Sequence, residues 1–335
     1  MKILFAVQGT GNGHLSRARD VYPEIAKYGD VDVLISGTQA DVDFPYPVKY
    51  KIYGMSFIFG KRGGIDFLTT AKRARPFRLA RDIRHFPVED YNLVINDFEP
   101  ISAWACKRKG LPCISLSHQA AVLHENAPRP EKDDPVGRLV LSRYAPVTAA
   151  YGFHFKAFGE NIFTPVIRKE IRALQPTDEG HYTVYLPAYS DEAILKHLSH
   201  FSNTRWEVFS KHNKEPFTSG NIHIQKIDNA AFVKSLASCA GVMIGAGFEG
   251  PAEAMYLGKK VLVIPMQAQY EQQCNAAGAE AMGATAIKML HEKYYGTITG
   301  WIADGKPITV DYPDITAEIV ATLMREQAGI KGLPH

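Results

Sequence analysis

Short apolar runs recur along the chain, separated by stretches with helical spacing. In the first half the runs are Ile3 to Val7, Val31 to Ser36, Leu93 to Asn96 and Cys113 to Leu116. In the second they are Tyr182 to Leu186, Trp206 to Ser210, Ile222 to Ile227, Gly241 to Ile244 and Val261 to Pro265, with helix-like segments such as Asp191 to His200 and Ala230 to Cys239 between them. Strands alternating with helices predict βα units and a parallel sheet. The alternation occurs twice, on either side of a proline-containing extended segment from Thr164-Pro165 to Thr177. Two stacked α/β, Rossmann-like domains are therefore expected, over residues 1–165 and 178–312. A last helix, Ile315 to Glu326 within 313–335, is expected to pack back on the first domain.

Composition agrees with that plan. A chain of 335 residues, 46% hydrophobic and 22% charged, has the size of two ordinary domains and the make-up of a globular enzyme. A net charge of +3 decides nothing about partners. The cysteines Cys106, Cys113, Cys239 and Cys274 form no C-x-x-C pair and no metal-ligand spacing, so reduced structural thiols are expected, with no metal and no cofactor. No run of about 18 apolar residues is present, and the opening run is too short for a signal-peptide core. The expected location is cytoplasmic.

Two glycine loops carry the candidate chemistry. After the first strand comes Gln8-Gly9-Thr10-Gly11-Asn12-Gly13-His14, and Leu15-Ser16-Arg17 opens a helix. Gly9, Gly11 and Gly13 permit a tight turn and close backbone approach, and the free N–H groups of a helix start favour an anion or polar oxygen. The lysine of a P-loop is absent. The second strand ends Leu34-Ile35-Ser36-Gly37 without the acidic residue that a dinucleotide site places there, which argues against NAD. An imidazole on such a loop suits general base catalysis near neutral pH, and serves equally as a helix-start hydrogen-bonding group. Asp97, just past the strand Leu93 to Asn96, is the candidate carboxylate to orient His14; its alternative role is capping the helix that starts at Pro100 or Ile101. Ser117-His118-Gln119, after the strand Ile114 to Leu116, falls on the same edge and is expected to line an acceptor pocket.

The second loop runs Gly245-Ala246-Gly247-Phe248-Glu249-Gly250 into a helix bearing Glu253, then the strand Val261 to Ile264, then Gln269-Tyr270-Glu271-Gln272-Gln273-Cys274-Asn275. Strand, glycine turn and helix can cradle a diphosphate, Glu253 can accept ribose hydroxyls, and Glu271, Gln272 and Gln273 can bind a sugar. Phe248, Glu249 and Gln269 belong to the same expected donor site.

This arrangement resembles the donor domain of GT-B fold glycosyltransferases, above all the peptidoglycan-precursor N-acetylglucosaminyltransferases. Their G-x5-E and later Q-Q-x-x-N-A signatures are matched by Gly247, Glu253, Gly258, Pro265, Gln272, Gln273 and Asn275, and Gly9 to His14 resembles their acceptor-side loop with one residue inserted. Two departures stand out: Arg17 replaces the usual proline three residues after the histidine, and Gln273 to Asn275 is one residue short. The resemblance implies an inverting, metal-independent transfer from a uridine diphosphate sugar, with Gly247 near the diphosphate, Glu253 on ribose, and Gln272 and Gln273 on the sugar. The implied partners are a nucleotide-sugar donor and a glycan or lipid-linked acceptor of the cell envelope, not nucleic acid. A sugar-nucleotide epimerase of the same fold, using Glu249 or Glu271 as acid and base, and a non-catalytic sugar-nucleotide-binding protein are the alternatives.

Two other signals need weighing. Asp41-Val42-Asp43 matches a metal-binding D-x-D, but it precedes Phe44-Pro45-Tyr46-Pro47 and reads as a solvated turn. From Lys61 to Arg84, the cations Lys61, Arg62, Lys72, Arg73, Arg75, Arg78, Arg81 and Arg84 interleave with Phe59, Phe67, Leu68, Phe77, Leu79 and Phe86. This fits peripheral contact with an anionic membrane at its inner face, and equally a basic helix face beside a buried aromatic one.

Overall fold

The computed structural model describes residues 1–37, 44–54, 76–132, 134–213 and 215–327. The Asp41 and Asp43 pair and the basic residues Lys61 to Arg75 lie outside them.

Apolar runs become strands of two sheets. The first contains β1 (Lys2–Gln8), β2 (Asp30–Ser36), β3 (Tyr50–Ile52), β4 (Leu93–Asp97), β5 (Ile114–Ser117), β6 (Ala149–Phe153) and β7 (Ile162–Phe163), in the order β3-β2-β1-β4-β5-β6-β7 and parallel throughout. The second contains β8 (His181–Tyr185), β9 (Arg205–Ser210), β10 (Phe217–Ser219), β11 (Ile222–Lys226), β12 (Gly241–Gly245), β13 (Lys260–Ile264) and β14 (Thr285–Ala286). Its order is β10-β11-β9-β8-β12-β13-β14, antiparallel only between β10 and β11. In each sheet the winding direction reverses at one place, between β1 and β4 and between β8 and β12. Connections diverge there and leave a crevice at the strands' carboxyl ends, where ligands of such sheets bind. Both glycine loops open at these points.

The described helices are α1 (Asn12–Ala26), α2 (Pro76–His85), α3 (Pro100–Lys109), α4 (His118–Leu123), α5 (Pro135–Tyr144), α6 (Lys169–Arg172), α7 (Asp191–Leu198), α8 (Asn229–Ser238), α9 (Glu249–Tyr256), α10 (Tyr270–Ala281), α11 (Tyr295–Asp304) and α12 (Thr316–Gln327). Among the described residues, none is long and apolar enough to cross a membrane.

Strand β1 shows why its run is unbroken. Ile3, Phe5 and Val7 face one buried cluster while Leu4 and Ala6 face another, so successive residues on opposite faces are all covered. The larger cluster joins the two halves: with Phe5 and Leu15 of the first it includes Ile244 and Val263 of the second, and Ile319, Val320 and Leu323 of α12. That last helix packs on α1 and receives the Tyr151 hydroxyl at Glu326 Oε2, 2.6 Å. All four cysteines are buried free thiols.

Candidate functional site

Loop geometry places the first group. Gly11 has φ +90°, a conformation that favours glycine, and α1 starts behind it without a side-chain cap. His14 lies in the first turn and Arg17 three residues on, so both project from one helix face. Register supplies their partner: Val7 of β1 pairs with Asp97, the last residue of β4. His14 Nδ1 donates to Asp97 Oδ1 at 2.8 Å, and Arg17 Nη2 donates to both Asp97 oxygens at 2.7 and 2.8 Å. Asp97 does not cap the following helix; Glu99 does, accepting from Ile101 N and Ser102 N at 2.8 and 2.7 Å.

Because Nδ1–H is committed to Asp97, the neutral imidazole leaves Nε2 bare. Gln119 Nε2 lies 3.4 Å from it, at the outer edge of a hydrogen bond. Burial lowers His14's proton affinity, but the Asp97 charge and hydrogen bond outweigh burial and Arg17, and its pKa lies above the ordinary 6.5. Burial pushes the Asp97 carboxyl up, yet Arg17 and His14 hold it below its usual value. Phe98, at φ +56°, is a non-glycine residue in the left-handed region, and its ring lies parallel to His14 and stacks on Tyr144 at 4.7 Å.

The second half contributes α9 and α10. Helix α9 begins after Gly245 to Phe248 with no side-chain cap, so its first backbone N–H groups are available to an anion. Gly247 has no positive φ, and a Cβ built on it would meet nothing within 4 Å. Nothing in the protein's own packing demands a glycine there; the close approach of a ligand would. Gly245 is similarly open, with only Ile264 O at 4.0 Å from such a Cβ, whereas a side chain on Gly250 would strike Ile244.

Glu249 crosses the crevice to Arg17 Nη1, and its carboxylate fills the space where a Gly13 side chain would sit. Glu271, on the first turn of α10, accepts from Gln119 Nε2 at 3.0 Å, and burial raises its pKa. Gln273 is partly exposed on that helix, and Gln269, at its start, has a buried Oε1 without a partner. Thus His14, Asp97, Glu249, Glu271 and the α9 start converge on one crevice.

Several expected site residues stand elsewhere. His118 does not line an open pocket: it is 1% exposed, donates to Phe153 O at 2.7 Å, contacts Asn275 Oδ1 at 2.6 Å and stacks on Phe248 at 3.8 Å. Phe248 is consumed in the same contact. Glu253 does not stand open to a ribose, because Arg168 donates to both its oxygens, at 2.5 and 2.9 Å, and covers it. Gln272 spends its Oε1 on Met266 N at 2.8 Å. Gly9 is a packing glycine, donating to Ser36 O at 2.6 Å with a virtual Cβ against Ile35.

Conversely, Arg17 and Arg168 are site or near-site residues that the sequence did not single out for a role. Arg17 had a signal, three residues beyond His14 on the same helix. Gln119, expected beside His118 on the acceptor edge, meets Glu271 152 positions away, whereas Arg168 reveals itself only through a partner 85 positions away.

Comparison with known proteins gives a consistent picture. A family model described as glycosyl transferase family 1 matches residues 1–295. Curated protein sequences give no match. Among solved structures, the S. aureus MnaA–UDP complex is similar with TM-score 0.63 at 11% identity, covering 100% of this chain and 99% of that one. MurG of Acinetobacter baumannii is similar at 0.54 and 14% identity, over 97% and 99%. Arabidopsis thaliana UGT89C1 complexed with UDP-L-rhamnose is similar at 0.57 and 12%, over 98% and 94%. At these identities the likeness concerns the fold, which is GT-B.

Proposed function

This chain belongs to glycosyl transferase family 1, and we propose that it transfers a sugar from a uridine diphosphate sugar to an acceptor hydroxyl, with inversion. The observation that carries the reading is the pairing, across one crevice, of a buttressed histidine with an uncapped helix start beside an unexplained glycine. The acceptor hydroxyl donates to His14 Nε2, which takes its proton as the hydroxyl oxygen attacks the anomeric carbon. The bond from that carbon to the diphosphate breaks on the opposite side, and the electron pair leaves with the diphosphate. Backbone N–H groups at the start of α9, next to Gly247, receive that charge. Glu271, Gln273 and Gln269 face the transferred sugar. The uridine choice is supported by the UDP and UDP-L-rhamnose in the complexes of similar fold.

A lipid-linked acceptor fits the surface near the first half. Phe77 of α2 is 91% exposed beside exposed Arg78, Arg81 and Arg84, and Val136, Leu139 and Val140 are exposed on α5. Apolar groups ringed by cations suit anionic headgroups, which would hold the protein at the inner membrane face.

Isothermal titration with uridine diphosphate and a panel of nucleotide sugars tests the donor site, repeated on Gly247→Val, which fills the open space without straining the backbone. Binding lost in the variant supports the reading; no nucleotide binding by the folded wild type overturns it. Product analysis without acceptor then separates transferase from epimerase, since only an epimerase converts the sugar nucleotide.

A further inference from the structure

Arg17 is among the largest fully buried side chains, and its charge is divided between two partners on opposite sides of the crevice. Nη2 holds both oxygens of Asp97 on the first sheet, at 2.7 and 2.8 Å, and Nη1 holds Glu249 on the second half. The same Nη2 lies 3.2 Å from His14 Nδ1, so His14 and Arg17 share Asp97 Oδ1 as acceptor. We propose that Arg17 is a positioning residue for the His14 base, fixing Asp97 and tying the His14–Asp97 pair to the donor half through Glu249. The proposal rests on the transferase reading for its catalytic meaning, but its geometry does not.

The physical logic is that of a shared counter-ion. A lone Asp97 would favour imidazolium at His14 and hold the base protonated. Arg17 offsets part of that negative charge, so Asp97 orients Nδ1–H while raising the ring's proton affinity less than it would alone. A planar guanidinium also presents Nη2 to Asp97 and Nη1 to Glu249 in one fixed plane, which the single ammonium of a lysine does not do. The charged groups facing His14 are Asp97 at the end of β4, Arg17 on α1, Glu249 on α9 and Glu271 on α10. A second cross-crevice contact, Gln119 to Glu271, lies on the Nε2 side. Each ring nitrogen therefore has near it a side chain of the first half that is bonded to a carboxylate of the second.

The test is an NMR pH titration of the histidine side chains of the full chain, with the His14 signal assigned by its loss in His14→Gln. In Arg17→Met the His14 pKa is expected to rise by about one unit or more, because an adjacent cation is gone. In Glu249→Gln it is expected to fall, because an anion is gone and Arg17 turns wholly to Asp97. In Arg17→Lys the titration returns toward wild type, while sugar-nucleotide turnover stays reduced for want of the two-point contact. The acidic limb of the pH–rate profile should follow His14 in each variant. An unmoved His14 in Arg17→Met, or an upward shift in Glu249→Gln, overturns the proposal. Glu249 is partly exposed, so Glu249→Gln decides the matter even if Arg17→Met fails to fold. Uridine diphosphate binding measured on the same samples separates the two readings: lost binding with a shifting His14 removes only the transferase assignment, and intact binding with an unmoved His14 removes only the role of Arg17.

Discussion

Helix α9 carries two carboxylates one turn apart, Glu249 and Glu253, and each is met by a buried arginine from outside its own half. The residue types are the same, and the surroundings differ. Arg168, in the connector between the sheets, spends its guanidinium on both oxygens of Glu253, on Glu170 and on Asn229 Oδ1 at 3.0 Å, and Glu253 is 3% exposed. That is a sealed tether which fixes α9 to the connector. Arg17 instead divides itself between Asp97 and a Glu249 that remains partly exposed, and His14 sits against Asp97 with its Nε2 unprotonated in the neutral ring. One ion pair holds α9 to the connector, and the other spans the crevice where a ligand and a proton can enter. Burial and partner count, not residue identity, separate structure from chemistry here.

The sharpest way to break the comparison is His14→Ala. Loss of a general base should lower the transfer rate by about 10²–10⁴-fold, with uridine diphosphate affinity unchanged in calorimetry. A rate that survives the substitution would remove His14 from the chemistry and leave both arginines as tethers.

The tether side is tested by Arg168→Met. Breaking a buried pair strands Glu253 without its counter-charge, so unfolding free energy measured in urea should drop by about 3–5 kcal/mol. Replacing Glu253 by Met as well should recover most of the loss, and neither variant should move the His14 titration. Recovery of nothing would mean that Glu253 has a partner other than Arg168.

A smaller effect follows from pH. His14 has a folded-state pKa above 6.5, so its contribution to stability is complete below 6.5 and declines as pH rises through the folded value. The rate should move oppositely, increasing as His14 loses its proton. Asp97 has a depressed pKa, so its contribution is present above 3.8 and is lost as pH falls through the folded value. Chemical denaturation across pH should therefore show a maximum between these limits, and His14→Gln should flatten the alkaline side.

The sheets were legible because parallel strands covered on both faces leave unbroken apolar runs, and β1 or β12 could hardly be written otherwise. The short strands β3, β7, β10 and β14 have two or three residues each and leave almost no pattern. His14 and Asp97 could be paired in advance because adjacent strands at a winding reversal put their following residues on one crevice edge. The openness of Glu253 could not be judged from its helix, because the side chain that covers it comes from residue 168. His118 misled for the same reason: its loop lies on the right edge, but Phe248 and Asn275 arrive from the other half and close over it. Local spacing thus reported which edge a residue occupies, and cross-half packing decided whether it faces the crevice.

The finest probe of the contrast is Gly13→Ala. The added methyl falls on the Glu249 carboxylate, the movable end of a flexible side chain, so the fold should adjust with little change in melting temperature. Adjustment means turning Glu249 away from Arg17, which should lower the His14 pKa in the same direction as Glu249→Gln and by a smaller amount. Transfer should fall only modestly, since the His14–Asp97 contact is untouched. If Gly13→Ala instead destabilises the protein as strongly as Arg168→Met, then the Arg17–Glu249 contact is itself a structural tether, and the distinction between the two arginines is lost.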